Sequence, residues 1–256
     1  MTDIARRVRI ERDGAVARIV LARPEQKNAL DRQMVDELHA ALREVAADDA
    51  TSVVAITADG ADFCAGADLK ALAAMLDASP DHHYEDAAAL GAVFVTMRQM
   101  RKPVVAVVRG RALAGGAGLA TACDIVLAHP DAEFGYPEVR VGFVPAMVMT
   151  MLRRSVGEKH AFDLVVSGRR IRADEAERIG LVSRVLSGDG FDEEATAALA
   201  ELARAPSSAV QLTKRLFYSL DGVPFDDGVR LGARTNVEAR ATEAFRAGVR
   251  KFANKE

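Results

Sequence analysis

The stretch LAGGAGLATACD, residues 113–124, has only alanine and glycine at its second to sixth positions. It comes after the apolar run PVVAVV (103–108), which is typical of a buried strand, and its later residues continue into a predicted helix. The N–H groups in the first turn of a helix have no partner within the helix and collect partial positive charge. A strand-to-helix turn built from such small residues therefore leaves these N–H groups open to a ligand.

A second turn of the same kind lies earlier in the chain. The segment GADFCAGADLK (60–70) follows the buried run SVVAIT (52–57) and precedes a helix that begins near Asp68. If the two turns face each other, they present a pair of main-chain donors to one oxygen atom, as in an oxyanion hole. Glycines at such turns also serve close packing or a positive φ angle. Phosphate binding is a weaker alternative, because neither G-x-G-x-x-G nor G-x-x-x-x-G-K-S/T occurs.

The composition is that of a globular protein with a large core. The 256 residues are 50% hydrophobic, and 34 basic and 37 acidic residues are mixed along the chain to a net charge of -3. Without a basic stripe, nucleic acid is a poor candidate partner. We expect no membrane span and a cytoplasmic location, because no signal-peptide core and no run of roughly 18 to 20 apolar residues occurs. Cys64 and Cys123 have no partner at metal-ligand spacing, so we expect small buried hydrophobic residues and no metal site.

Strand and helix patterns predict the domain organisation. A hairpin is predicted around Asp13-Gly14, and a helix capped by Asp31 follows it. Strands and helices then take turns, which predicts an α/β core over residues 1–190. Residues 191–256 are helix-coded and carry more apolar positions than one small lobe can cover. We expect this second region to pack on another subunit.

One glutamate is a candidate acid/base in the segment EFGYPEVRVGFVP (133–145). Glu138 follows Pro137 in a predicted loop, where a carboxylate is usually solvated. Its neighbours in sequence include Tyr136 and several apolar residues. An apolar pocket would raise the pKa of this carboxyl and make it a usable base. Its role depends on whether it lies beside the two glycine turns.

The order and spacing of five blocks resemble the enoyl-CoA hydratase/isomerase family, also called the crotonase family. The blocks span nearly the whole chain and are RPEQKNALD, FCAGADLK, ALAGGAGLATACDIVLA, AEFGYPEVRVGFVP and RADEAERIGLVSRVL. The resemblance implies a spiral of ββα units and a C-terminal helical region that forms a homotrimer, or a hexamer made as a dimer of trimers. It also implies acyl-CoA thioester substrates and no separate cofactor, since coenzyme A is part of the substrate.

The resemblance also implies roles for individual residues. It places the oxyanion hole at the N–H groups of Ala67 and Gly115, and the acid/base at Glu138. The adenine and pantetheine contacts map to the AGADLK block, at Ala65, Ala67, Asp68, Leu69 and Lys70. The expected chemistry is the formation of an enolate next to the thioester carbonyl while the carboxylate moves a proton.

One departure from the family pattern bears on the reaction. Family hydratases with two glutamates carry the first one three residues after the oxyanion glycine, where this chain has Gly118. Moving a double bond needs a single carboxylate, so we slightly favour enoyl-CoA isomerisation. Hydration or dehydration of a 2-enoyl-CoA, including a branched or methylglutaconyl-type one, is the alternative. A non-catalytic acyl-CoA-binding protein is the alternative from another class.

Two further segments bear on the acyl site. Met147, Met149 and Met151 stand where family hydratases tend to have a glycine-rich turn, and these side chains either fill the core or line an acyl pocket. The polar segment 77–87 could supply a second acid/base in place of the missing one, although surface exposure is the default for its side chains. Its candidates are Asp81, His82, His83 and Glu85.

Overall fold

The predicted hairpin around Asp13-Gly14 forms the edge of the main sheet in the computed structural model, which describes residues 6–253. Strands β1 (Val8–Asp13) and β2 (Val16–Leu21) pair antiparallel, and Gly14 turns between them with a φ of 57°. The rest of this six-stranded sheet is parallel, in the order β1-β2-β3-β4-β6-β9. Its other strands are β3 (Val53–Ala58), β4 (Val104–Val108), β6 (Ile125–Ala128) and β9 (Arg184–Val185).

A second, smaller sheet consists of three short strands that are interspersed with strands of the main sheet along the chain. It contains β5 (Arg111–Leu113), β7 (Glu133–Gly135) and β8 (Arg170–Arg172). β5 pairs parallel with β7, and β7 pairs antiparallel with β8. Because β5 directly follows β4 and β7 closely follows β6, two successive units repeat the order strand, strand, helix.

Ten helices connect and cover the sheets within the described residues. The first five are α1 (Arg32–Ala47), α2 (Leu69–Ala74), α3 (Pro80–Gln99), α4 (Gly115–Ala122) and α5 (Val148–Ser167). The others are α6 (Ala173–Arg178), α7 (Phe191–Ala203), α8 (Ser207–Ser219), α9 (Phe225–Ala241) and α10 (Glu243–Ala253). Two 3-10 turns cover Pro24–Gln26 and Pro137–Val141.

Helix α1 begins as the sequence predicts. The Asp31 carboxylate accepts a hydrogen bond from the Met34 amide at 3.0 Å, which satisfies one N–H that would otherwise lack a partner. The residues at helical spacing then face the core and are buried: Met34, Val35, Leu38, Leu42 and Val45. The prediction of this capped amphipathic helix is confirmed.

The apolar core lies on both faces of the six-stranded sheet. The larger cluster joins helices α1, α3, α4 and α5 to one face. The smaller cluster buries Phe191, Ala195 and Leu199 of α7 against Val53 and Leu127 on the other face. Helix α7 therefore packs on the sheet itself, and the excess of uncovered apolar surface begins with α8. Cys64 and Cys123 are free thiols buried in the larger cluster, as predicted.

Helices α8, α9 and α10 keep many large apolar side chains in solvent. Phe225 and Phe252 are 84% and 82% exposed. The others of this kind on or next to these helices are Phe217, Leu220, Val229, Val237, Phe245 and Val249. No helix among residues 6–253 has the length and apolar character needed to cross a lipid bilayer. Within the same residues, no group of His, Cys, Asp or Glu side chains is arranged to hold a metal ion.

A buried ion pair attaches α8 to the core. The Lys214 ammonium donates to the Asp124 carboxylate at 2.6 Å and to the carbonyls of Met97 and Lys102 at 2.8 and 2.9 Å. Asp124 also accepts from the Tyr218 hydroxyl and the Val104 amide, so both of its carboxylate oxygens have donors. The three acceptors of Lys214 supply the partners that a buried ammonium requires.

Replacement of Lys214 tests this attachment. We expect Lys214→Met to lower the free energy of unfolding by about 3 kcal/mol, because it leaves the largely buried Asp124 carboxylate, 16% exposed, without its counter-ion. Chemical denaturation measures the loss. The control is Arg230→Met, which breaks an exposed pair with Asp227 and should change stability much less. Equal effects of the two substitutions would contradict the importance of the buried pair.

Candidate active site

The two glycine turns lie against each other, as the sequence led us to expect. A Cβ atom on Gly66 would be 2.8 Å from both the Ala114 Cβ and the Leu113 carbonyl oxygen. A Cβ atom on Gly116 would be 2.3 Å from the Cys64 carbonyl oxygen. Each turn therefore needs a glycine where the backbone of the other one approaches. Gly66 also has a φ of 94°, which L side chains rarely adopt.

The pairing of short backbone segments orients the Ala67 amide. Leu30 donates to the Gly66 carbonyl at 2.8 Å and accepts from the Asp68 amide at 2.9 Å. In a parallel bridge of this kind, the residue between the two bonded ones directs its own N–H to the other side. The Ala67 N–H therefore points away from Leu30, and it has no hydrogen-bond partner among residues 6–253.

The Gly115 amide opens helix α4 and likewise has no partner among the described residues. A Cβ atom on Gly115 would be 4.0 Å from the Ala67 nitrogen and no closer than 3.4 Å to any neighbour. Position 115 thus has room for a methyl group, in contrast to position 116. The missing side chain at Gly115 leaves a space open beside both amides, which packing alone does not require.

Ala114 holds the turn in an unusual backbone conformation. Its φ of 48° and ψ of -124° lie in a region that non-glycine residues rarely occupy. Two hydrogen bonds secure it, since the Ala114 amide donates to Gly135 at 2.8 Å and its carbonyl accepts from Gly118 at 2.9 Å. Strained residues of this kind persist where surrounding contacts hold them, and they concentrate at functional sites.

Glu138 lies on the same edge of the small sheet as Gly115. Strands β5 and β7 run parallel and pair Leu113 with Gly135, so the turns that follow them leave the sheet side by side. Glu138 is the second residue of the 3-10 turn Pro137–Val141, which the Phe143 amide closes on the Glu138 carbonyl at 3.0 Å. The sheet thereby brings the predicted acid/base and the α4 amide to one end of the fold.

The Glu138 carboxyl is buried within the fold. The residue is only 9% exposed, and its Oε2 atom has no hydrogen-bond partner among the described residues. Burial raises the pKa of Glu138 above its ordinary value, and a hydrogen bond from its own backbone N–H only partly opposes this effect. An unpartnered carboxylate oxygen with a raised pKa is the expected state of a base that awaits a proton.

The position of the missing second carboxylate is filled by a valine. A Cβ atom on Gly118 would be 2.5 Å from Val148 Cγ2 and 3.6 Å from the Phe94 ring. Val148 is buried at the start of α5, and its branched side chain has little freedom to move aside. A larger residue at 118 therefore requires Val148 to change. Sequence reasoning found Gly118 but missed Val148, because the contact joins two elements that are distant in the chain.

The residues of the AGADLK block occupy different environments. Ala67, Leu69 and Lys70 are exposed and Ala65 is half-buried, so all four can be reached from solvent. Asp68 is buried and caps α2 through the Lys70 and Ala71 amides at 2.9 and 3.3 Å.

The Asp68 carboxylate has a structural partner as well. It accepts from Arg23 at 2.9 Å. Although burial acts in the opposite direction, these hydrogen bonds hold the pKa of the Asp68 carboxyl below its ordinary value. The side chain of Asp68 is thus engaged in shaping the turn.

A buried asparagine that the sequence analysis did not single out supports the same turn. Asn28 is fully buried and donates to the carbonyls of Asp59 and Asp62, both at 2.9 Å. Its Oδ1 accepts from the Arg23 amide at 2.9 Å. The available signal was its place in RPEQKNALD, one of the blocks of the family resemblance.

The candidates for a second acid/base all lie on the surface. The first turns of α3 carry Asp81, His82, His83 and Glu85, and all four side chains are exposed.

The three methionines near the start of α5 divide between the two expected roles, filling the core and lining an acyl pocket. Met147 and Met151 pack against the core, with the Met147 sulfur near Gly91, whereas Met149 is 39% exposed.

Comparison with known proteins identifies the fold and then the family. The fold matches solved crotonase-type structures, including an enoyl-CoA hydratase of Mycobacterium smegmatis with a TM-score of 0.93, 30% identity and coverage of 98% of this chain and 97% of that one. The family model for enoyl-CoA hydratase/isomerase matches residues 11–256. The chain belongs to the enoyl-CoA hydratase/isomerase family.

Curated relatives are named as hydratases. A Thermus thermophilus protein provisionally named an enoyl-CoA hydratase is 40% identical, with 97% of this chain and 98% of that protein covered. The 2,3-dehydroadipyl-CoA hydratase of Escherichia coli is 33% identical, with 96% and 95% covered. These names agree better with the alternative of hydration than with the slight preference for isomerisation.

Two neighbouring glycines provide a matched test of the site. We expect Gly115→Ala to leave the free energy of unfolding nearly unchanged but to lower enoyl-CoA turnover on the order of 100-fold, because its methyl group enters the space beside the amides. Gly116→Ala should instead destabilise the fold by about 1–3 kcal/mol through the clash with Cys64. Denaturation and steady-state assays measure both effects. A fully active Gly115→Ala enzyme would contradict the assignment of Gly115.

Proposed function

We propose that this protein is an enoyl-CoA hydratase that adds water across the C2–C3 double bond of a 2-enoyl-CoA, and that it works through a thioester enolate. The observation that carries the proposal is the buried Glu138 carboxylate, with its unpartnered oxygen, on the same sheet edge as the open Gly115 amide. The names of the curated relatives support hydration as the reaction.

The proposed oxyanion hole consists of the Ala67 and Gly115 amides. Attack on C3 moves the electrons of the double bond toward the thioester oxygen, and two preorganised N–H donors stabilise the resulting negative charge. Each such donor contributes about 3 kcal/mol at the transition state. These donors act without rearrangement because packing between the turns and the unusual Ala114 backbone already fix them.

One carboxylate is sufficient for the proton balance of hydration. The water oxygen forms a bond to C3 while one water proton passes to the Glu138 carboxylate, and the C2–C3 electron pair forms the enolate. Glu138 then returns that proton to C2, and the thioester carbonyl is restored. The sum is the addition of one water molecule, with Glu138 unchanged. The buried position of Glu138 favours its temporary protonation.

Double-bond isomerisation is the second candidate, and Gly118 favours it. In this reaction Glu138 takes a proton from C2 of a 3-enoyl-CoA and returns it to C4, so that no second carboxylate and no bound water are needed. The contact between Gly118 and Val148 removes the place for a second carboxylate. Both candidate reactions use the same enolate and the same base.

Product analysis separates the candidates. The protein is incubated with a 2-enoyl-CoA and, separately, with a 3-enoyl-CoA in water enriched in oxygen-18, and products are identified by mass. Hydration predicts a labelled 3-hydroxyacyl-CoA from the 2-enoyl ester. Double-bond migration without label would overturn hydration and support isomerisation. Thioester binding by calorimetry without any product would overturn both and indicate the non-catalytic alternative.

The proposal also covers the residues that contact the coenzyme A part of the substrate and the assembly of the subunits. We assign the adenine and pantetheine contacts to Ala65, Ala67, Asp68, Leu69 and Lys70. Within residues 6–253, the Asp68 carboxylate already accepts from the Arg23 side chain and the Lys70 amide. We also propose that a homotrimer, alone or paired into a hexamer, covers the apolar side chains of α8–α10. The exposure of these side chains in the single chain supports the assembly, since large exposed apolar surface usually marks an interface.

The substitution Glu138→Gln tests the base. We expect a loss of turnover of at least about 1,000-fold with nearly unchanged thioester binding, because the amide keeps the shape and cannot accept the proton. Steady-state kinetics and calorimetry measure the two quantities. The wild-type rate should fall as pH decreases through the raised pKa of Glu138, since the ionised form is the base.

The free energy of unfolding should change with pH in the opposite direction to the rate. The folded-state pKa of Glu138 is raised, so the stability penalty develops as pH rises from the ordinary pKa of glutamate through the folded-state value. Glu138→Gln removes the ionisable group, and the variant should be at least as stable as the wild type at pH 7. Turnover retained by Glu138→Gln would refute the base assignment.

A double substitution tests whether Val148 blocks a second carboxylate. Gly118→Glu alone should destabilise the fold by about 1–3 kcal/mol, because Val148 occupies the required space. Gly118→Glu combined with Val148→Ala should recover most of that loss. Thermal unfolding of the two variants, with Val148→Ala alone as the control, gives the coupling energy. Strictly additive effects would show that Val148 does not fill the site.

A further inference from the structure

Two buried hydroxyl groups connect the Glu138 turn to helix α4. The Tyr136 hydroxyl lies 2.7 Å from the Thr121 Oγ1, and Thr121 Oγ1 donates to the Ala117 carbonyl at 2.7 Å. Tyr136 is fully buried and Thr121 is 8% exposed. Tyr136 precedes the turn that carries Glu138, whereas Ala117 lies in the first turn of the helix that Gly115 opens.

The direction of this chain of hydrogen bonds follows from the donors available. Thr121 uses its only hydroxyl proton on Ala117, so the proton between the two hydroxyls belongs to Tyr136. Tyr136 therefore donates to Thr121, and Thr121 donates to the main chain. Burial raises the pKa of the Tyr136 hydroxyl, which keeps it a protonated donor at neutral pH.

We propose that Tyr136 is a positioning residue for the reaction, because its bond through Thr121 to Ala117 fixes the Glu138 turn relative to the α4 amide. The proposal rests on the proposed function, in which Glu138 and the Gly115 amide act on the same acyl group. Misplacement of a reacting group by about 1 Å costs on the order of 100-fold in rate. A direct link between the two elements limits such movement.

The surroundings of Glu138 make the link detectable. Burial is the main influence on the Glu138 pKa, and no charged side chain of residues 6–253 acts on it appreciably. Tyr136 is a titratable neighbour of Glu138. The charge of Glu138 contributes to the raised pKa of the Tyr136 hydroxyl. Arg140, on the same turn, lies against Gly168. If the turn loosens and admits water, the Glu138 pKa should fall toward its ordinary value.

The substitution Tyr136→Phe removes the link without leaving an unpaired group. Thr121 keeps its bond to Ala117 in this variant, so no buried hydroxyl loses its only partner. With a 2-enoyl-CoA as substrate, or the 3-enoyl-CoA if that is the ester turned over, we expect kcat to fall by about 10- to 100-fold while KM changes little. The acid limb of the kcat profile should move to lower pH. Thr121→Ser keeps the hydroxyl and should retain the wild-type profile.

Tyr218→Phe is the matched control. It removes a tyrosine hydroxyl that donates to Asp124 beside helix α8, away from the Glu138 turn. We expect this variant to lose stability while it keeps the kcat and the acid limb of the wild type. The comparison separates loss of a hydroxyl hydrogen bond in general from loss of this particular link.

The outcomes are distinct. A Tyr136→Phe enzyme with the kcat and acid limb of the wild type, or with changes matched by Tyr218→Phe, would overturn the positioning role. If Tyr136→Phe does not fold, the double variant Tyr136→Phe with Thr121→Val, which removes both hydroxyls, is subjected to the same criteria. Activity retained by Glu138→Gln would instead refute the proposed function, and with it the premise of this inference.

Discussion

Mutual packing of two strand-to-helix turns is the constraint on which the candidate site depends. Gly66 meets Leu113 and Ala114, and Gly116 meets the Cys64 carbonyl, so neither turn can take its conformation without the other. The main-chain bonds between Cys64 and strand β5 hold the same contact, at 3.0 Å to the Arg111 carbonyl and 2.9 Å from the Leu113 amide. Backbone, more than side chains, therefore determines the spacing of the two open amides.

The carboxylate is positioned by different means. Glu138 depends on the parallel pairing of β5 with β7, on Pro137 at the start of its turn, and on the closing bond from Phe143. Its burial is unfavourable for the charged form and raises its pKa, and the proposed role as a base depends on this effect. The site thus combines a stable main-chain frame with one electrostatically unfavourable side chain, a combination common where function and stability compete.

Much of this arrangement is predictable from sequence, for physical reasons. The helix that Asp31 caps, the hairpin at Gly14 and the buried runs that form β3 and β4 depend on local patterns, and the structure confirms them. The ordered blocks of the family resemblance also indicated the family correctly.

Several contacts, besides those of Asn28, escaped sequence reasoning. They join residues that are separated in the chain. They are the contact of Val148 with Gly118, the hydrogen bond between Tyr136 and Thr121, and the packing of α7 on the sheet. No periodicity or spacing encodes such contacts. The sequence analysis recognised a missing carboxylate at Gly118, whereas only the structure shows which side chain stands in its place.

The contact between Gly118 and Val148 also affects which substitutions the protein can accept during evolution. A glutamate that arises at position 118 while Val148 is present lowers the stability of the fold before it can contribute any new chemistry. A smaller residue at 148 would remove the clash, but on its own it leaves a cavity. Positions 118 and 148 are therefore coupled, so that a larger residue at one is best tolerated together with a smaller residue at the other.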